Sequence, residues 1–182
     1  MVELVYETHS TTTDNERGIA TGWLGGRLSD EGRRQAAALG RRRRDDGIAA
    51  AFVSDLARAQ ETADIALAGS GIPRFQDARL RECNYGDLNG MPFARLAADR
   101  SRHVDEPWPG GESYHQVVDR TRDLLRELAA GWEGRRVLII AHSANRWALD
   151  CLLGGVELRN LVDAPFAWQE GWLYELPAGW TG

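Results

Sequence analysis

His9 and His142 are the residues on which chemistry can be built. Each is delivered by a short apolar run and each is followed by serine, in Leu4-Val5-Tyr6-Glu7-Thr8-His9-Ser10 and in Leu138-Ile139-Ile140-Ala141-His142-Ser143. The carboxyl end of a buried strand is where open α/β sheets hold their ligands. If the two strands lie side by side and parallel, the two imidazoles converge within reach of one small ligand. A zinc centre needs further nitrogen or sulfur donors at suitable spacing. His103 and His115 sit in unrelated segments, so no metal is expected and the pair reads as catalytic.

The composition narrows the chemistry. Of 182 residues, 22 are basic and 27 acidic, a net charge of −5, so no basic field invites nucleic acid or an anionic membrane. Every cation is arginine. The absence of lysine excludes a Schiff base, a pyridoxal phosphate anchor and a Walker-type phosphate loop, and no cofactor is expected. Arginine must then recognise any anion, best as a bidentate fork. Cys83 and Cys151 have no metal-type spacing and suit reduced thiols. No basic segment followed by an apolar run opens the sequence, and Val137 to Ala141 is too short to span a bilayer. The expected location is the cytoplasm.

The elements that must position the histidines follow from periodicity. Val2 to Tyr6, Ile48 to Val53 and Val137 to Ala141 read as strands, with Ile72 to Phe75 a further candidate. Ser29 caps a helix that ends at Arg41-Arg42-Arg43-Arg44, where cations meet the helix dipole and solvent. Helices are expected after Asp55, over Phe93 to Arg100, after Glu112-Ser113, and over Asn145 to Leu153. Trp168, Trp172, Tyr174 and Trp180 alternate as in an edge or antiparallel strand; Trp168 and Trp172 are candidates for packing on that sheet or against a second subunit. Strands alternating with helices predict a single-domain three-layer α/β/α sandwich over residues 1–182, with a mostly parallel central sheet.

Five segments, in order, resemble the histidine phosphatase superfamily, the phosphoglycerate-mutase-like branch. His9-Ser10-Thr11-Thr12 with Asn15 resembles the His-Gly-x-Thr-x-x-Asn signature, and Thr21-Gly22-Trp23 with Leu28 to Gly32 resembles the loop and helix start after it. Ser54 to Ala63 is similar to a Ser-x-Leu-x-Arg-Ala-x-x-Thr-Ala helix, and Leu80 to Gly90 to a Glu-bearing loop. Pro109-Gly110-Gly111-Glu112-Ser113 and His142 complete the series. The resemblance implies a phosphomonoester hydrolase acting on a small phosphorylated metabolite through a phosphohistidine. His9 is then the nucleophile, Glu82 the general acid and base, and His142 a donor to the phosphoryl oxygens. Arg58 clamps those oxygens and Asn15 hydrogen-bonds them. Thr21 and Gly22 line the entrance, with Ser10 and Ser143 beside the two histidines. Only Met91 to Trp108 stand where mutases of the family carry a long insertion, which favours hydrolysis over retained transfer.

The signature departs from the family at its most charged point. Thr8-His9-Ser10 stands where Arg-His-Gly is usual, and Ser143 follows the second histidine where glycine is usual. Losing one phosphate-binding arginine costs on the order of 3–4 kcal/mol of transition-state stabilisation. Strand alternation puts Glu7 on the same side as His9, where a carboxylate repels a dianion. Arg17, Arg27 and Arg146 are candidates to restore the charge. Two other readings therefore stay open: an enzyme for a less charged substrate with Glu7 and His9 as an acid–base pair, and a relative that binds without catalysis. Trp23, Tyr85 and Trp108 are candidates for an aromatic rim, and a homodimer is possible.

Overall fold

The computed structural model describes residues 1–182. In chain order the elements are β1 (Val2–Thr8), α1 (Thr13–Glu16), β2 (Ile19–Ala20), α2 (Asp30–Arg43), β3 (Ile48–Ser54), α3 (Ala57–Ala66) and β4 (Arg74–Asp77). There follow β5 (Met91–Pro92), α4 (Phe93–Asp99), α5 (Tyr114–Gly131), β6 (Arg136–Ala141), α6 (Ser143–Gly154), α7 (Leu158–Asp163) and β7 (Trp172–Leu176). The main sheet runs β4-β3-β6-β1-β7, with only β7 antiparallel to its neighbour. Helices cover both faces, as the alternation of strands and helices requires.

Alternation within the buried strands sorts side chains to the two faces. Leu4, Tyr6, Phe52, Val137 and Ile139 pack with Leu124, Leu125 and Leu128 of α5. Val5, Ala51, Val53, Leu138 and Ile140 face Ala59 and Ala63 of α3. A third cluster, around Tyr85, Leu96, Trp108, Tyr114 and Trp147, closes the carboxyl end of the sheet. β1 and β6 are parallel neighbours in register, Thr8 opposite Ala141, so the residues after them emerge together.

Helix starts follow side-chain caps. Ser29 accepts from the Gly32 amide ahead of α2, and Ser113 with Gln116 forms a reciprocal box ahead of α5. The expected edge strand is β7, and Trp172 packs edge-on against Tyr6 at 6.2 Å between ring centres. Trp168 does not pack on that sheet; it stands 58% exposed at the mouth of a cavity.

The arginine run ending α2 is not simply solvated. Arg42 Nη2 donates to both oxygens of Glu7 at 3.0 and 3.1 Å, and Arg43 Nε donates to Oε1 at 2.9 Å. Arg43 also reaches Asp46 and the Glu170 carbonyl. Gly171, at φ +86°, lies against this clamp, where an added Cβ would sit 2.2 Å from Arg43 Nη2 and 2.9 Å from Glu7 Oε1. Gly171→Ala is expected to destabilise the protein by more than the ~1–2 kcal/mol of a left-handed backbone alone, because it also pushes a buried ion pair apart. Urea unfolding checks this; a midpoint equal to wild type would mean that the clamp yields freely.

Candidate active site

His9 follows β1 directly, and its amide still donates to the Ala141 carbonyl at 2.9 Å. Its Nδ1 meets the Ser10 carbonyl at 2.8 Å. A carbonyl only accepts, so Nδ1 carries the proton and Nε2 keeps its lone pair. Arg58 Nε donates to that Nε2 at 3.3 Å. His142 follows β6, caps α6, and lies with its ring centre 5.0 Å from that of His9. Its Nε2 is 2.9 Å from Ser54 Oγ, while its Nδ1 is buried with no partner. The adjacency of two parallel strands therefore brings the two rings together, with His9 opening on the cavity and His142 fully buried behind it rather than on its wall.

Arg58, 3% exposed on the first turn of α3, is held by carbonyls. Its Nη2 donates to the Gly22 carbonyl at 2.8 Å. Gly22 adopts φ +57°, and a Cβ there would fall 1.9 Å from Asn89 Oδ1, so only glycine places that carbonyl under the guanidinium. Thr21 Oγ1 donates to Asp14 at 2.9 Å. Asn15 lines the cavity, its Oδ1 accepting from the Thr12 amide in the capping box of α1.

Glu82 stands on a loop tied from two sides. Arg81 forks onto Asp55 at 2.7 and 2.6 Å. Arg120 bridges Glu112 at 2.9 Å and the Glu82 carbonyl at 3.0 Å. The Trp23 indole donates to the same carbonyl at 2.6 Å, with Arg81 stacked 4.6 Å over its ring.

The cavity, about 520 Å³, is lined by His9, Asn15, Thr21, Gly22, Arg58, Glu82 and Ser143, with Thr8 and Tyr85. Glu7 and Ser10 lie instead on a smaller adjoining groove that also touches Thr8 and His9. Glu7 does not line the cavity, though it shares that groove with His9. Glu7 is also not a free carboxylate, being clamped by Arg42 and Arg43 with its side chain 3% exposed. Ser10 is buried and fixes the backbone, its amide donating to Thr62 Oγ1 at 3.0 Å.

None of the three arginines proposed to replace the signature cation reaches the cavity. Arg17 and Arg27 are exposed, and Arg146 pairs with Asp150 at 3.4 Å and stacks on Trp172. Arg100 lines it, over the Trp147 ring. The expected aromatic rim is likewise redistributed. Tyr85 lines the cavity, Trp23 holds the Glu82 loop, and Trp108 is core, stacked on His103. Tyr114, Trp147, Phe93, Phe166 and Trp168 supply the other aromatic walls. Ser54 was legible only as the first position of the arginine-bearing motif, and Arg100 and Tyr114 carried no local signal because the residues that bring them to the cavity lie far away in the chain.

Burial first, then the Arg58 charge, holds the His9 imidazole down to about 3. Burial, then Arg58 and His9, lowers His142 as well. Burial raises the Glu82 carboxyl, against the Cys83 amide, Arg58 and Arg120. The site thus holds two neutral imidazoles, a cation and a carboxyl poised to carry a proton. Unfolded imidazoles take up protons below about pH 6.5 that the folded ones refuse. The unfolded chain therefore binds more protons in that window, and stability falls on acidification. Glu82 acts oppositely: its contribution is present below its ordinary value and lost as pH rises through the raised one. Two imidazoles outweigh one carboxyl. The fully buried His142 should contribute a slope approaching 1.4 kcal/mol per pH unit, and urea titrations should show His142→Gln losing that slope. An identical slope in the variant would refute this assignment.

A profile of the family described as histidine phosphatase superfamily (branch 1) matches residues 8–170. A 2,3-bisphosphoglycerate-dependent phosphoglycerate mutase from Methylobacterium sp. (strain 4-46) is 36% identical over 173 residues, covering 87% of this chain and 83% of the relative. A metal-independent phosphoserine phosphatase from Arabidopsis thaliana is 31% identical over 153 residues, covering 78% and 64% respectively. Among solved structures, YhfR of Bacillus stearothermophilus superposes with a TM-score of 0.84 at 29% identity, over 93% of this chain and 88% of that one. Mycobacterial glucosyl-3-phosphoglycerate phosphatase in complex with VO3 gives 0.79 at 30% identity, over 88% and 85%.

Proposed function

Because the chain belongs to branch 1 of the histidine phosphatase superfamily, we propose that it hydrolyses a small phosphomonoester through a phosphohistidine on His9. The observation that carries this reading is the tautomer. A neutral imidazole, proton on Nδ1 and lone pair on Nε2, opens on the cavity beside a buried guanidinium. In the first step Nε2 attacks phosphorus in line, and the bond to the ester oxygen breaks. Glu82 gives its proton to the departing oxygen. In the second step water attacks the phosphohistidine, Glu82 takes back a proton, and phosphate leaves with His9 neutral again. Arg58 releases His9 Nε2 and turns its fork to the phosphoryl oxygens, where charge builds. The unpartnered Nδ1 of His142 supplies a further donor.

The short Met91 to Trp108 span, which forms only β5, α4 and a 3₁₀ turn, leaves the phosphoenzyme open to water and favours hydrolysis over transfer. Thr8 favours a second reading, a phosphate-ester binding protein without turnover, because the cation ordinarily next to the nucleophile is missing. Rapid acid-free quenching after mixing with 4-nitrophenyl phosphate separates the two. The first reading expects one phosphoryl group gained in the intact mass, mapped to the peptide containing His9. Neither phosphoenzyme nor turnover across a panel of phosphomonoesters would leave only the second.

A further inference from the structure

Thr8, His9, Gln35 and Trp168 line two spaces at once. One is the cavity of about 520 Å³ that holds Arg58 and Glu82, the other the adjoining groove of about 440 Å³. A phosphorus on His9 therefore has room for a substituent on either side. Ala38 and Leu39 of α2 add apolar wall to the groove. Two of its arginines are already matched, Arg42 on Glu7 at 3.0 Å and Arg34 on Glu31 at 2.8 Å. Its remaining charges, Arg41 and Glu170, are exposed and of opposite sign. The groove thus offers space and apolar surface beside the nucleophile, not a receptor for a second anion. The charge at the nucleophile points the same way. One guanidinium, that of Arg58, is hydrogen-bonded to the His9 imidazole, and Thr8 presents no charge of its own. A phosphomonoester dianion leaves one negative charge unmatched there, at the cost of burying it. A phosphodiester carries a single negative charge, which one guanidinium balances.

We propose that the protein also hydrolyses phosphodiesters, with the second, uncharged ester arm lying in the groove beside Thr8. This activity rests on the phosphohistidine reading above and goes beyond it. His9 Nε2 attacks phosphorus, the bond to the ester oxygen in the cavity breaks, and Glu82 gives that oxygen its proton. The intermediate keeps its other arm, so His9 carries a phosphoryl monoester. Water then attacks phosphorus, the P–N bond breaks, and Glu82 takes back a proton. The products are an alcohol and a phosphomonoester, with His9 neutral again. The short side chain of Thr8, in the wall of both spaces, leaves room for the ester oxygen to lead from one to the other.

The test compares 4-nitrophenyl phosphate with its methyl and phenyl diesters, methyl 4-nitrophenyl phosphate and phenyl 4-nitrophenyl phosphate, which share one leaving group. Both diesters should turn over, and His9→Ala should abolish it. The phenyl arm should exceed the methyl arm by about tenfold in kcat/KM, the scale of filling an apolar pocket. Ala38→Trp, which fills the groove, should bring that ratio toward one; intrinsic reactivity cancels between wild type and variant. Thr8→Arg should lower the diester-to-monoester ratio by about a hundredfold, because the added cation favours the dianion and its side chain occupies the junction. Circular dichroism establishes that each variant is folded. Intact mass after rapid mixing with the phenyl diester should show a gain of one phenyl phosphoryl group, mapped to the peptide containing His9. Turnover of the monoester without either diester would overturn the proposal and leave the hydrolase reading standing. No turnover and no adduct from any of the three would overturn both. Diester turnover that survives His9→Ala, or ratios unchanged in both Ala38→Trp and Thr8→Arg, would also overturn the proposal.

Discussion

Replacing His9 with alanine is expected to lower phosphomonoester hydrolysis by on the order of 10⁴-fold or more, the scale seen when a covalent nucleophile is removed. Nothing else in the cavity combines an imidazole lone pair with a position beside Arg58. The hydroxyls of Thr11, Thr21 and Ser143 line the same space, yet a hydroxyl is a weak nucleophile without an adjacent base. Residual turnover would come from Arg58 and His142 holding the ester against water. His9 keeps part of its surface open to the cavity, so the variant should fold, and circular dichroism confirms that before kinetics are read. The phosphoryl mass gain must vanish with the activity. A folded His9→Ala enzyme within tenfold of wild type would remove His9 from the mechanism.

The second large effect runs the other way. Thr8→Arg should raise kcat/KM for 4-nitrophenyl phosphate by roughly 10²–10³-fold, the converse of deleting one donor from a site of developing negative charge. Thr8 touches both the main cavity and the adjoining groove, so a longer side chain has space to reach the phosphoryl position. Orthovanadate inhibition should tighten in parallel, because it presents the same oxygens. Glu7 is best left in place. Its charge is already matched by Arg42 and Arg43, and removing it would free two cations beside the site and loosen α2. No gain in either measurement, in a variant shown to be folded, would mean that the phosphoryl group does not lie against Thr8.

Much of this arrangement was legible in the residues themselves. Val5, Leu138 and Ile140 form strands because they are buried on a sheet face, and the matched endings of two such strands announced the paired imidazoles. Ser29 and Ser113 marked helix starts because capping is a local interaction. Arg58 and Glu82 were readable through the ordered pattern around them. The illegible part was non-local. Glu7 read as a bare carboxylate beside His9 because its arginine partners lie 35 and 36 positions along the chain. Arg100 looked like the end of a short helix, since only its own contacts with Trp147 and the Ala164 carbonyl, far away in the chain, bury it. The short β2 and β5 pair and α7 were missed because two-residue strands and a six-residue helix carry almost no periodic signal.

Trp168 carries a practical consequence of its own. Of the seven indoles in the chain, it is the one left 58% exposed, and it stands at the cavity mouth. Acrylamide should therefore extinguish its emission first, and a ligand filling the chamber should shield it. The protein carries a built-in optical gauge of occupancy, readable without a label and without turnover.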